Sequence, residues 1–404
     1  MSLHSRRHRR LLLALLPLLL AGCRGSGQAR REEVVPPFVF RSLDLRQQTP
    51  LGQPSWELTS PEARYDLRRR LAQASRPKGV IYSGGKPLYR LQADSGTVVG
   101  DGEAILLEGN LRMQRLGSQP VLILASRARW LPRRQLLLID RDPRALDTHG
   151  RLRAERARFL LQDDRLELSG KPRLERWEQR FNPFTAPPTT AAPITVEASQ
   201  VSWKPGSGDL RASGPLQARR RIPGRRASLP PQTLSAASLE GNTLAQSYTL
   251  QGAVQFLDAA TGERFSGQNV SLLPGSQEAS TPDPFDAGRS DLQVSGTGLR
   301  VEGRDHWVRV ASRCRLQRPG EKLEAERCAW NWKTGAVEAS GGVLLQRSVN
   351  AQVTRGEALS GELGAAGSVL ITAPGARVVS RFRPPASRPA APPPPRPAPP
   401  PIVP

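Results

Sequence analysis

Residues 104–113, Ala104-Ile105-Leu106-Leu107-Glu108-Gly109-Asn110-Leu111-Arg112-Met113, carry the pattern that decides the fold. Ile105, Leu107, Leu111 and Met113 lie two and four residues either side of Gly109, with Glu108, Asn110 and Arg112 between them. A period of two puts the apolar set on one face of a strand and the polar set on the other. The frame recurs around five further glycines. Gly170 has Leu166, Leu168 and Leu174, with Pro172 as the exception. Gly214 has Leu210, Ala212, Leu216 and Ala218, and Gly252 has Tyr248, Leu250, Val254 and Phe256. Gly341 has Val337, Ala339, Val343 and Leu345, and Gly367 has Leu363, Ala365, Val369 and Ile371. Beyond the first 22 residues no comparable stretch follows a helical period. The chain reads as all-β, an open β-jelly roll of stacked antiparallel hairpins in two consecutive units.

An alanine stands 16 residues before each of these glycines: Ala93, Ala154, Ala198, Ala236, Ala325 and Ala351. For three pairs the midpoint falls on turn-forming residues: Gly100-Asp101-Gly102, Pro205-Gly206-Ser207-Gly208, and Lys333 beside Thr334-Gly335. Each alanine is therefore expected to face its glycine across a hairpin, on the apolar side. The fourth and sixth midpoints are Leu244 and Leu359, so a displaced or longer loop is expected there. Small residues facing each other fill a core poorly. Either two sheets approach closely along this line or another occupant, such as an acyl chain, fills the gap. The candidate groove lining is Ala93, Ile105, Leu107, Gly109, Leu111, Ala154, Leu166, Leu168, Gly170, Leu210, Gly214 and Val343.

The N-terminus has a different character. Arg6, Arg7, Arg9 and Arg10 precede the apolar run Leu11–Leu20, which Leu20-Ala21-Gly22-Cys23 closes. Charge, a short apolar core and small residues before a cut site are the order of a secretory signal peptide over 1–22. The run is shorter than the ~20 residues that cross a bilayer. Leu-Ala-Gly-Cys resembles the bacterial lipobox, which makes Cys23 the expected lipid anchor and residues 23–37 a flexible tether. Net charge is +23, from 59 Lys and Arg against 36 Asp and Glu. In an exported protein that excess points to an anionic lipid surface or a phosphorylated glycolipid rather than to nucleic acid. Two cysteines remain, Cys314 and Cys328, flanking Pro319-Gly320. A hairpin there brings them together either as a disulfide or as two buried thiols.

Proline-rich stretches mark the connections. Residues 181–195 read as a linker between a jelly roll over 38–180 and a second β region over 196–383. Residues 219–232 and 274–289 read as further loops, and 384–404 as an extended proline-rich tail. Trp130, Trp203 and Trp330 each stand five residues beyond an alanine (Ala125, Ala198, Ala325). In a regular strand that odd offset puts each indole on the opposite face from its alanine. No catalytic motif, metal cluster or cofactor fingerprint is present. Asp163-Asp164 sits at a hairpin tip and reads as a solvated turn. Arg68-Arg69-Arg70, Arg219-Arg220-Arg221 and Arg225-Arg226 suit phosphates through paired hydrogen bonds, and otherwise read as solvated faces.

Residues 38–114 resemble the N-terminal half of LptC, a periplasmic lipopolysaccharide-export component. The matching pieces are Trp56-Glu57-Leu58-Thr59-Ser60, Ala63-Arg64-Tyr65-Asp66, Leu91-Gln92-Ala93-Asp94-Ser95-Gly96 and Ile105-Leu106-Leu107-Glu108-Gly109-Asn110-Leu111. The later repeats are similar to jelly rolls of the OstA or LptA type. The resemblance implies a non-enzymatic protein, anchored to the inner membrane or to the outer one, that handles lipopolysaccharide. It would receive lipopolysaccharide from an ABC transporter and pass it, by pairing of edge strands, to an LptA-like or outer-membrane jelly-roll partner. Two features depart from the family: the lipobox in place of a retained transmembrane helix, and about twice the length. A different class of function, a structural envelope lipoprotein that binds peptidoglycan or scaffolds other proteins, fits the basic loops and the proline tail.

Overall fold

The computed structural model describes residues 38–185, 188–363 and 367–383. The expectations for the signal peptide, Cys23, the tether and the tail lie outside the described residues. The described chain is an all-β jelly roll of 31 strands, interrupted only by three single-turn 3-10 segments. None of its helices is long and apolar enough to cross a membrane.

The sheet has two leaves. In one, Phe38–Phe40, Glu62–Asp66, Leu71–Ser75 and Ser95–Val99 pair in succession and end on Ala104–Glu108, the first half of a long strand. In the other, Leu43–Gln48, Pro54–Ser60, Lys78–Ser83 and Lys86–Gln92 pair in succession and end on the second half of that strand, Arg112–Arg115. Strand Ala104–Arg115 thus belongs to both leaves, and the two meet at a crease beside Gly109. Contacts between the leaves show that they fold face to face. Trp56 of the second leaf packs edge-on against Trp130 of the first with ring centroids 5.2 Å apart, and Tyr89 packs against Phe159 at 5.3 Å. From Asp209 onward most strands, such as Asp209–Arg220 and Ser247–Asp258, are long enough to run through both leaves.

A β-bulge marks the crease on one strand after another. The ladders lose register between Ala125 and Arg127, Ser213 and Leu216, Leu250 and Ala253, and Ser340 and Val343. A bulge bends and twists the strand, and a column of bulges folds the whole sheet. The extra residue also reverses the parity of the alternation. For this reason Ala125 and Trp130 both point inward, contrary to the expectation of opposite faces, and Trp203 is buried as well.

Three loop expectations change. Loop 181–195 does not break the sheet, because Arg173–Arg176 pairs with Ile194–Glu197 and Arg165–Ser169 with Gln200–Trp203 across it. The core divides further along instead, into a cluster running from Trp56 to Val270 and another from Phe285 to Leu363. Residues 219–232 are loop only over 221–231, and 274–289 only over 274–277, since Glu278–Arg289 is a strand. Proline is tolerated in that strand because Pro282 and Pro284 fall where the ladder is already broken, between Thr281 and Pro284.

Candidate functional site

At the crease each glycine faces the residue after its alanine, not the alanine itself. Gly109 opposes Asp94, Gly170 opposes Glu155, Gly252 opposes Ala237 and Gly341 opposes Glu326. Gly109 has φ +73°, and a Cβ on it would lie 2.9 Å from the Cβ of Asp94. Only glycine accommodates both that backbone and that approach. The alanines sit one step inward; Ala93, Ala236 and Ala325 are buried. The sixth pair dissolves: Ala351 lies in a 3-10 turn, and Leu359 is inside a strand. The fourth hairpin needs no displaced loop, for residues 243–246 form its turn and Leu244 is exposed at the tip.

Opposite the crease, the free margins of the leaves are closed in the N-terminal part by Asp164. Its carboxylate accepts hydrogen bonds from the buried Tyr89 hydroxyl, from Arg115 Nε at 3.3 Å and from the Gly206 amide at 2.9 Å. Only about 20% of its side chain is exposed, so the expected solvated turn is a clamp between leaves. Behind the clamp the core is closely packed, with a smaller cavity of about 190 Å³ between Trp56 and Ile81 on one leaf and Trp130 and Leu161 on the other. Tyr89, Ile105, Leu107, Met113, Trp130 and Phe159 are among its largest buried side chains.

Beyond the clamp the leaves part. A cavity of about 380 Å³ opens between Leu174, Val196 and Leu234 on one leaf and Val201, Leu210 and Leu250 on the other. A second, of about 630 Å³, follows between Phe256, Phe265 and Phe285 on one side and Leu272, Leu299 and Val301 on the other. It lies where the two core clusters meet; Phe265 packs against both and stacks on Phe285 at 6.4 Å. Cavities of several hundred Å³ with apolar walls are of a size for bound ligands.

Cationic groups line the free margin of the second leaf. The alternation that turns Leu174 inward also turns Arg176 inward, and Arg176 lines the smaller cavity. Burial, followed by the Arg176 charge, pushes the His149 imidazole below its ordinary pKa. Burial raises the Tyr248 phenol on the opposite leaf, against a smaller opposing effect from Arg176. Arg220 lines both cavities and meets Glu178 at 3.5 Å. Asp258 is fully buried at the same margin and binds Arg225 of loop 221–231 at 2.8 Å and Gln232 at 2.9 Å. Burial alone would raise this carboxyl, but those hydrogen bonds and the Ala260 amide together hold it below the usual range.

Of the residues singled out in the sequence, Ile105, Leu107, Leu111, Leu166, Leu168 and Val343 point inward into closely packed core. Gly109, Gly170 and Gly214 lie in the crease, and Ala93 and Ala154 pack beside it. Leu210 lines the cavity. Arg176, Phe265 and Phe285 were not singled out, and Phe256 was placed only on the apolar face around Gly252; the only local signal for Arg176 is its place in the alternation after Leu174. Cys314 and Cys328 are joined as a disulfide with Cα atoms 5.9 Å apart, close to the crease. Among the described residues, no group of three or more His, Cys, Asp or Glu could hold a metal ion.

A two-leaved antiparallel sheet creased along a column of bulges, with apolar space between the leaves, defines an open β-jelly roll. Residues 11–175 match the family described as lipopolysaccharide-assembly, LptC-related. The larger cavity and most of the smaller one are built from residues that follow this span. No curated protein matches the chain. Among solved structures it is similar to LptH, the LptA-homologous periplasmic component of the lipopolysaccharide transport device of Pseudomonas aeruginosa. That likeness has 12% identity, covers 29% of this chain and 83% of LptH, and has a TM-score of 0.24.

Proposed function

We propose that this protein is a non-enzymatic carrier in lipopolysaccharide export, holding the acyl chains of lipopolysaccharide between its leaves beyond Leu174. It takes the lipid from an inner-membrane ABC transporter and passes it along a periplasmic bridge of jelly rolls, tethered to a membrane through Cys23. The observation that carries this reading is the pair of apolar cavities that begins where the Asp164 clamp ends. Each buried methylene contributes about 0.8 kcal/mol, so ten of them supply about 8 kcal/mol, the scale of micromolar binding. Edge strands at both ends support docking. Phe38–Phe40 and Leu43–Gln48 each have one paired neighbour, as do Val369–Thr372 and Val379–Arg381, among the described residues. Phe38, Phe40, Leu370 and Val379 are exposed there. Open edges of this kind accept a further strand.

A photoreactive residue placed at Leu234, Phe256 or Leu272 tests the carrier role. Crosslinks to lipopolysaccharide are expected at these positions and absent at Leu107 and Leu168. Equal labelling at both sets, or none at either, would overturn it.

A further inference from the structure

Resting on that carrier reading, we propose that Arg176 and Arg220 form a head-group site that binds the phosphates of the carried acyl glycolipid. Ile194 pairs with Arg176 on one side and Arg220 on the other. The two side chains therefore leave the same inward face two strand spacings apart, about 10 Å. Both line the smaller apolar cavity. A guanidinium at an apolar wall needs an anionic partner, because desolvating an unpaired charge is costly. The Arg176 side chain has no hydrogen bond or ion pair among the described residues; its charge acts on His149 and Tyr248. Arg220 has Glu178, but that pair is half-exposed on both sides and gives way to a stronger acceptor.

The surroundings are one-sided. Arg219, Arg221, Arg225 and Arg226 belong to the same margin, where the carboxylates are Glu178, Asp258, Glu263 and, beside Arg176, Asp147; Asp258 is taken up by Arg225, and Asp147 by the amides of His149 and Gly150. An apolar cavity for chains beside a cationic margin fits an amphiphile with acidic head groups. Phosphate suits the arginines better than a carboxylate does, since it offers three oxygens and up to two charges to the planar guanidinium fork. Two inward arginines about 10 Å apart fit two separate phosphates rather than one.

The test measures binding of the full chain to lipid A bearing both phosphates and to the same lipid A with its phosphates removed. A photoreactive residue at Phe256 reports the acyl chains independently. The wild type is expected to prefer the phosphorylated form at least about tenfold, equivalent to about 1.4 kcal/mol. In the double variant R176Q/R220Q that preference disappears while Phe256 still crosslinks; R176K/R220K keeps a reduced preference. If the glutamine variant does not fold, the wild-type preference must still shrink as ionic strength is raised. Equal affinity of the wild type for both lipids, with Phe256 crosslinking intact, overturns the head-group site and leaves the carrier reading standing. Failure of either lipid to crosslink at Phe256 sinks the carrier reading and the head-group site with it.

Discussion

Gly109 lies opposite Asp94 across the crease, so close that a Cβ on the glycine would come within 2.9 Å of the aspartate Cβ. The backbone there has φ +73°, which an L side chain rarely adopts. The same relation joins Gly170 to Glu155 and Gly341 to Glu326, and the column of such pairs creases the sheet.

Gly109→Ala meets both the positive φ and the close approach, so it should destabilise the fold by about 2–3 kcal/mol. Asp94→Gly in the same background removes the steric part and should recover some of the loss. Chemical denaturation of the single and double variants measures this, and additive losses would count against the close approach as the cause.

Asp164→Ala leaves the Tyr89 hydroxyl, Arg115 and the Gly206 amide without their shared acceptor. A loss of about 2–4 kcal/mol is expected, against about 1 kcal/mol for Tyr89→Phe, which removes one donor and strands no charge. Hydrogen exchange should show the margins of the N-terminal leaves opening in Asp164→Ala alone. Unchanged protection there would show that the clamp does not hold the leaves.

The Asp258 carboxyl titrates below its ordinary value of 3.8 in the folded chain. As pH falls, the unfolded chain therefore takes up this proton before the folded chain does. The contribution of Asp258 is complete above pH ~3.8 and is lost as pH falls through the folded value. Asp258→Asn should cost stability at pH ~6, and the gap from wild type should narrow below pH ~3.8. Parallel stability curves across that range would contradict this.

Cys314 and Cys328 are separated by 14 residues and close their loop beside the crease. Loop-closure entropy assigns such a crosslink about 3 kcal/mol. Cys314→Ala with Cys328→Ala, or reduction of the wild type, should lower stability by that order in denaturant melts. Peptide mapping without reductant should recover the two cysteines in one linked fragment.

Much of this was legible in the chain because it is local. Ile105, Leu107, Leu111 and Met113 declare a strand with one buried face, and alternation depends only on neighbouring residues. Gly100-Asp101-Gly102 and residues 204–208 declare their turns through the φ values that their glycines permit. The Ala/Gly column pointed to the crease but missed its register by one residue, because a bulge shifts the count and leaves no composition of its own. The same shift brought Trp130 and Trp203 inside. Pro282 and Pro284 suggested a loop within 274–289, where a broken ladder hosts a strand.

What the sequence by itself determined is the strand, its buried face, the turns and the resemblance of the N-terminal part to LptC. These follow from side-chain period and backbone freedom, which act within a few residues. Only the tertiary structure decided that Asp164 clamps two leaves, that Leu107 and Leu168 are buried in closely packed core, and that the larger cavities lie beyond Leu174. Those outcomes depend on how side-chain volumes far apart in the chain match across the crease. Between Tyr89 and Phe159 they fill the gap, and between Phe256 and Leu299 they do not.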